Sequence, residues 1–294
     1  MQYLQKIQFH SIIFSLLAFI AIVFSWQVVA INQPILLLTL VILIIVLGVP
    51  HGALDTLFAK QYWQLRSAQN WIIFLSGYSF LAALVVGFWL WQPVLFFIGF
   101  IVISILHFAD DLPGATPFIA KILYGGAIIV LPALLHQQQI VQLFSYIITV
   151  QDANILVNIM FALAFVWAVG IVGFSFACFK TNSYTSLEMI SVSLLALLAS
   201  PLVAFTIYFC GMHSARHLLR SDIYLSSSTK KLKLAALTLP TFSVLIAAVF
   251  CWPLSQNQAF DTKLIQLLFV TLAALTLPHM LLLYLSGFTT WIKT

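Results

Sequence analysis

The chain has 294 residues, of which 63% are hydrophobic and only 6% are charged. Soluble globular domains are about 25% charged, so this composition excludes an ordinary soluble enzyme and indicates an integral membrane protein. The formal net charge of +5 lies mostly in short connectors between apolar runs, where Lys and Arg set orientation and attract anionic lipid. Membrane lipids are therefore the expected surroundings, and no nucleic-acid partner is implied.

The apolar runs predict an all-α fold, a polytopic transmembrane helical bundle of about 8–10 spans, with ten preferred. No linker or soluble block interrupts them, so residues 1–294 are expected to form one domain. The first run could end in a cleavable signal at Val28-Val29-Ala30, but it is long enough to span and is interpreted as an uncleaved helix. In chain order the predicted helices are 9–31, 35–55, 71–91, 93–110, 117–136, 153–179, 186–200, 201–220, 233–252 and 264–286.

The division at Pro201 follows from length and charge. As a single helix, residues 187–220 would be about 51 Å long, whereas the hydrocarbon core of a bilayer is about 30 Å thick. Proline also interrupts helices. With the division, nearly all connector Lys and Arg, including the cluster at 230–233, fall on one side of the membrane. The sequence therefore predicts ten spans with both termini cytoplasmic.

Two histidines four residues apart, His213 and His217, interrupt an apolar run. Positions i and i+4 lie on one helical face about 5–6 Å apart, so both imidazoles could reach one metal ion. The alternative is a pair of interfacial polar residues beside a basic loop. Placed by depth, five of the seven histidines share the inner leaflet, whereas His10 and His136 are expected to be interfacial. The five are His51, His107, His213, His217 and His279.

The segment Pro50-His51-Gly52-Ala53-Leu54-Asp55 places His51 and Asp55 one turn apart on the same face. Ionisable groups inside a span are costly and usually face the bundle interior, which indicates a functional role. The structural alternative is that Asp55 pairs with the connector residue Lys60. The Gly-Val-Pro sequence before His51 favours a helix break that lets polar groups face inward.

A second motif, His107-Phe108-Ala109-Asp110-Asp111, follows a fully apolar run. His107 has little reason to be there as a surface residue, so it is a candidate ligand. Asp111 is interpreted as an ordinary cap for the helix that begins near Pro117. Asp110 remains a candidate partner for a histidine.

Metal-bound imidazoles usually donate their other N–H to a carboxylate or a carbonyl. Candidate acceptors are Asp55, Asp110 and Asp222. Arg216 could pair with those acids, whereas Arg220 is expected to extend to lipid headgroups. His279, after Pro278, could be satisfied by a freed carbonyl, or it could be a ligand or a supporting residue.

Neutral imidazoles at His51, His107, His213 and His217 would suit Fe, Zn or Cu. The 26 Phe and 8 Trp could line an apolar tunnel, although aromatic residues also pack helices and form interfacial belts. The residues beside the candidate ligands that could contact a lipidic substrate are Phe108, Tyr208, Phe209, Met212 and Met280.

Taken together, these segments resemble the Brp/Blh family of bacterial and archaeal integral-membrane carotenoid cleavage enzymes. The matching pieces are residues 48–55, 104–108, 213–217 and 278–280. The combination of PHGxxD with HSxRH is fairly distinctive, and the likeness in hydropathy covers nearly the whole chain. The continuation Asp110-Asp111-Leu-Pro-Gly is unusual, which leaves open the carotenoid that is used.

This resemblance implies one carotenoid-cleavage domain over residues 1–294, in the inner (plasma) membrane, that cleaves the central double bond of β-carotene with O2 to give retinal. It also implies one Fe(2+) held by His51, His107, His213 and His217, with Asp55 as an orienting residue. A membrane retinal-binding protein could accept the product. Two alternatives stay open: a membrane di-iron desaturase or hydroxylase, which usually has more histidines, and a metal or proton transporter, which more often shows internal repeats.

Overall fold

The computed structural model describes residues 2–28, 33–113, 115–225 and 259–289, together with the single positions 230, 233, 234 and 238. All regular structure in these ranges is helical, which confirms the predicted all-α class. The predicted helix at 233–252 lies almost wholly outside the described residues.

Thirteen α-helical segments fall within the described ranges, and several join into longer helices. The first seven are α1 (Gln2–Val28), α2 (Gln33–Leu43), α3 (Pro50–Ala53), α4 (Asp55–Trp63), α5 (Ala68–Trp91), α6 (Pro93–Ala109) and α7 (Phe118–Val130). The others are α8 (Gln137–Ser145), α9 (Val150–Phe179), α10 (Ser183–Leu198), α11 (Pro201–Tyr208), α12 (Ala215–Tyr224) and α13 (Phe260–Leu285). A 3₁₀ turn covers Leu131–Leu134, and two π-helical segments cover Ile44–Gly48 (π1) and Phe209–Ser214 (π2).

Five helices in the described ranges are long and apolar enough to cross a membrane: α1, the continuous stretch Ile35–Trp63, α5, α9 and α13. A sixth crossing arises if Phe118–Leu134 and α8 traverse the bilayer together, with a bend of 108° between them. Helices α6 and α10 are apolar but shorter. This pattern is that of a helical membrane protein.

The predicted helix boundaries agree with the observed ones at some positions and differ at others. The division at Pro201 is confirmed, since α10 ends at Leu198 and α11 begins at Pro201. Proline suits the first position of a helix, because a backbone N–H there would have no partner within the helix. The helix predicted to end at residue 55 instead continues to Trp63. Helix α8 was not predicted, because its three leading glutamines make it too polar and too short to register as a span.

Neighbouring helices form the core: α1 packs against α10, α6 against α7, and α9 against both α7 and α10. A Cβ at Gly125 would lie 2.2 Å from the Ile105 carbonyl oxygen, so only glycine allows α7 to approach α6 this closely. Helix α5 differs, because it packs on α6 and α13 without burying any of its residues. The end of α6 is thus held rigidly, whereas α5 lies at the periphery.

Candidate metal centre

Two π-helical turns meet at the centre of the molecule and carry the first site residues. In π1 the Val49 amide donates to the Ile44 carbonyl five residues back, at 2.9 Å. Such turns insert an extra residue into a helix and occur frequently at functional sites. The break predicted before His51 is therefore a π-helical turn within a continuing helix.

A serine hydroxyl and a glycine hold π1 and π2 in close contact. Ser214 of π2 donates from Oγ to the carbonyl oxygens of Leu47 and Gly48, at 2.8 and 3.1 Å. A Cβ at Gly48 would lie 2.3 Å from the Phe209 ring, so any larger residue would separate π1 from π2. This contact sets His51, just after π1, opposite His213 within π2.

The five histidines that the sequence placed at one depth form one cluster. The His51 ring centroid lies 4.9 Å from that of His213, 5.2 Å from those of His217 and His279, and 6.0 Å from that of His107. The His107 and His213 centroids are 4.4 Å apart. All five side chains are buried, at 7% exposure or less. Four separate stretches of chain thus supply imidazoles to one small volume.

The outer ring nitrogens of two histidines are held by neighbouring groups. His51 Nδ1 lies 2.6 Å from the Gly48 carbonyl oxygen. A carbonyl only accepts hydrogen bonds, so His51 carries a proton on Nδ1 and leaves Nε2 as a lone pair. His217 Nδ1 lies 3.2 Å from Ser221 Oγ.

Two carboxylates hold the outer nitrogens of two further histidines. His279 Nδ1 lies 2.7 Å from Asp55 Oδ1, and His213 Nδ1 lies 3.0 Å from both carboxylate oxygens of Asp111. An ionised carboxylate only accepts, so both rings place the proton on Nδ1. Their Nε2 atoms are thereby left as ligand lone pairs, the arrangement in which carboxylates orient metal-bound histidines.

The inner nitrogens are short of partners. Nε2 of His217 and Nε2 of His279 are buried without a hydrogen-bond partner among the described residues, a costly arrangement for a polar atom. Nε2 of His213 lies 3.0 Å from Nε2 of His107, about the separation of two nitrogens that each lie about 2.1 Å from one metal at a right angle. Ring nitrogens of His51, His107 and His279 all lie within 4.8 Å of one another. The residues fit a bound metal ion.

Both supporting carboxylates are buried and each receives a tyrosine hydroxyl. Tyr78 donates to Asp55 Oδ2 at 2.8 Å, and Tyr208 donates to Asp111 Oδ2 at 3.0 Å. Asp55 thus contacts His279, although the sequence paired it with His51. Neither tyrosine was predicted in this role, because residues distant in sequence give no signal of their proximity.

The prediction that Asp111 caps the following helix is wrong. Helix α7 begins after Pro117 without a side-chain cap, and the chain after α6 turns so that Asp111 faces His213. Asp222 was also proposed to support a histidine, but its side chain is 68% exposed and pairs with Lys233 at 2.7 Å. The exposed end of α12 thus carries that acid away from the cluster.

Arg216 pairs with an acid other than the three that the sequence suggested, and His10 is more buried than expected. Arg216 is 1% exposed and pairs with Glu188, the only glutamate in the chain, at 2.5 and 2.8 Å. Its Nη1 also lies 3.4 Å from the Asp111 carbonyl oxygen. His10, expected at the interface, is buried with Nδ1 3.2 Å from Arg216. A lone acid in the apolar run of α10 was the available signal for this missed pair.

The prediction that Arg220 extends to lipid headgroups is also wrong. Its Nη1 donates to the Asp110 backbone and carboxylate oxygens at 2.9 and 3.1 Å, and its Nη2 donates to the Phe288 carbonyl at 2.9 Å. These bonds tie the end of α6 to α12 and to the segment after α13. His136, also expected at the interface, is half-buried, with Nε2 2.9 Å from the Leu197 carbonyl oxygen.

An apolar cavity of about 220 Å³, called the site cavity here, adjoins the histidine cluster. Its walls include the rings of His51, His107 and His279, and the aromatic rings of Phe74, Tyr78, Phe100, Phe108, Phe205 and Phe209. Among the residues predicted to contact a substrate, Phe108 and Phe209 therefore line it. Tyr208 and Met212 lie in the buried core, and Met280 follows His279 on α13.

The fold and the site define an all-helical membrane protein with a buried histidine cluster that could hold a metal beside an apolar cavity. The family model for β-carotene 15,15'-dioxygenase matches residues 42–285, and the chain belongs to this enzyme family, as its motifs predicted. A β-carotene 15,15'-dioxygenase from uncultured marine bacterium 66A03 is 32% identical over 252 residues, which cover 82% of this chain and 90% of the relative. No solved structure matches the chain.

Proposed function

We propose that this protein is an iron-dependent dioxygenase that cleaves β-carotene, or a related carotenoid, at its central double bond to give retinal. The observation that carries the proposal is the cluster of five histidine rings at the wall of an apolar cavity, in which two buried Nε2 atoms lack a partner among the described residues. Membership of the family and the name of the marine relative support the substrate and the reaction.

The proposed metal is Fe(2+), and the proposed ligands are His51, His107, His213 and His217. His279 joins this set, because its Nε2 is buried without a partner and its ring lies with those of His51 and His107. When bound, ferrous iron would supply the electronic coupling that lets O2 react with a carbon–carbon double bond. Imidazole ligands suit this metal.

The protein's own residues orient the site and keep it dry. Asp55, Asp111 and the Gly48 carbonyl fix the tautomers of three imidazoles. The aromatic walls of the site cavity hold an apolar polyene and exclude water. Cleavage of a double bond by O2 places one oxygen atom in each aldehyde, so no proton enters or leaves overall. The chemistry therefore needs no general acid or base.

The proposed location is the cell inner membrane, where a lipid-soluble carotenoid would reach the protein from the bilayer. Retinal formed there could pass to a retinal-binding membrane protein. Residues 1–294 would then act as a single carotenoid-cleavage domain.

The most informative experiment expresses the protein in cells that accumulate β-carotene, followed by extraction of the pigments. The expected result is a loss of β-carotene with formation of retinal, which requires air and carries ¹⁸O from ¹⁸O2 in both aldehydes. Unchanged β-carotene in cells whose protein contains iron would reject the substrate assignment. Metal uptake by vesicles carrying the protein would favour the transporter alternative.

A further inference from the structure

A larger cavity of about 590 Å³ lies between α5 and α13, and we call it the side cavity. Its lining includes Ile73, Phe74, Gly77 and Tyr78 of α5, and Pro278 and Leu281 of α13. Ile73 and Leu281 are exposed on the surface of the described bundle. Since α5 is apolar and unburied, the side cavity faces the region that lipid tails would occupy.

The side cavity adjoins the site cavity, and the two share two lining residues. Phe74 and Tyr78 line both. The Tyr78 hydroxyl donates to Asp55, so this ring is held as a fixed wall between the two spaces. Phe74 makes edge contacts with Trp71 and Tyr78 and a tilted ring contact with Trp63, and it forms the rest of the wall that the two cavities share.

Size indicates that the site cavity cannot hold a carotenoid alone. Drug-sized ligands occupy pockets of about 300–1,000 Å³, whereas the site cavity measures about 220 Å³ and a carotenoid is far longer than such a ligand. A third cavity of about 90 Å³ adjoins the other side of the site cavity, and the two share Phe100, Ser104, Phe108 and Phe205. The histidine cluster thus borders the middle member of three adjoining apolar spaces.

We propose that the side cavity is the lateral entrance through which the polyene passes from the bilayer to the histidine cluster. This inference rests on the proposed function. One end of the substrate slides between α5 and α13, passes Phe74 and Tyr78, and continues beyond the cluster. Its middle then lies in the site cavity while its trailing half occupies the side cavity.

Two glycines on α5 allow a matched test. A Cβ at Gly77 or at Gly87 would meet nothing within 4 Å, so the first atom of a side chain meets no clash at either position. Gly77 lines the side cavity, whereas Gly87 does not. Gly87 stands ten residues further along α5, roughly 15 Å at 1.5 Å per residue. Both substitutions replace a helical glycine, so their effects on helix propensity are the same.

The experiment compares Gly77→Phe with Gly87→Phe in the full-length, iron-loaded protein. We expect Gly77→Phe to lower kcat/KM for β-carotene roughly tenfold, because its ring stands in the side cavity and displaces the substrate from its path to the histidine cluster. It should also reduce the β-carotene retained by protein purified without O2, while iron per chain stays at the wild-type level. Gly87→Phe should match the wild type in all three measurements.

If the Gly77→Phe protein binds and cleaves β-carotene like the wild type, the side cavity is not the entrance. If Gly77→Phe loses iron, the smaller Gly77→Leu replaces it, and the same comparison decides. A wild-type protein that forms no retinal would instead reject the proposed function, so the two failures are distinguishable.

Discussion

The histidine cluster is supported on two sides by the same arrangement, a tyrosine, an aspartate and a histidine joined by hydrogen bonds, in different surroundings. On one side Tyr208, Asp111 and His213 form a hydrogen-bonded chain, and Tyr208 is 0% exposed. On the other side Tyr78, Asp55 and His279 form a matching chain, but Tyr78 is half-buried and lines both the site cavity and the side cavity. The first, called the inner chain, belongs to the core, whereas the second, called the outer chain, borders the proposed substrate path.

The surroundings of each chain indicate what it contributes. Beside the inner chain, Arg216 approaches the Asp111 carbonyl and is itself paired with Glu188, so a change there disturbs several buried groups at once. The outer chain ends at α5, a helix without buried residues. We therefore expect changes in the inner chain to affect folding and metal retention, and changes in the outer chain to affect mainly metal affinity and turnover.

The largest effect is expected for Asp111→Ala. This change leaves His213 Nδ1 and the Tyr208 hydroxyl without their buried acceptor, at a cost of about 2–3 kcal/mol. Iron per chain, measured on purified protein, should fall to near zero, and the thermal unfolding temperature should drop. Asp222→Ala is the control, because Asp222 is exposed. Wild-type iron content in Asp111→Ala would contradict the proposed role of the inner hydrogen-bonded chain in metal retention.

A smaller effect is expected for Asp55→Asn. The amide keeps the shape of the side chain but removes the charge that orients His279, and changes to such supporting groups typically cost about 10–100-fold in metal affinity or activity. Iron titration and retinal formation should show this loss while thermal stability stays near wild type. An unfolding temperature lowered as far as in Asp111→Ala would show that the outer chain is structural as well.

The smallest effects are expected for the two tyrosines, each of which donates one hydrogen bond. Tyr208→Phe leaves the buried Asp111 oxygen short of a donor and should cost about 1 kcal/mol of stability. Tyr78→Phe should leave stability unchanged and alter retinal formation only a few-fold, because the side chain lies at a cavity. Thermal unfolding and steady-state kinetics of the pair measure this contrast. Equal stability losses would contradict it.

The sequence predicted the grouping of the histidines because hydropathy and Pro201 set the depth of each apolar run. It did not predict the π-helical turns or the contact between Gly48 and Phe209, which joins two segments distant in sequence. The role of Asp111 was missed for a related reason. The direction of the chain after α6 depends on packing against α7 and on the Arg220 bonds to Asp110, which no local pattern reveals.

The role of His279 could not be predicted from its local sequence either. Its position after Pro278 left open whether a backbone carbonyl satisfied the ring. In the structure Asp55, 224 positions away in sequence, accepts from Nδ1, which turns Nε2 toward His51 and His107. Only the tertiary fold supplies that partner.

The central claim is that the histidine cluster holds the iron at which β-carotene is cleaved. The direct measurement compares purified wild-type protein with His213→Ala, and records iron per chain together with retinal formed from β-carotene in air. We predict about one iron per chain in the wild type, because its imidazoles form one compact ligand set, and loss of both iron and retinal formation in the variant. A His213→Ala protein that retains iron and still forms retinal would contradict the account.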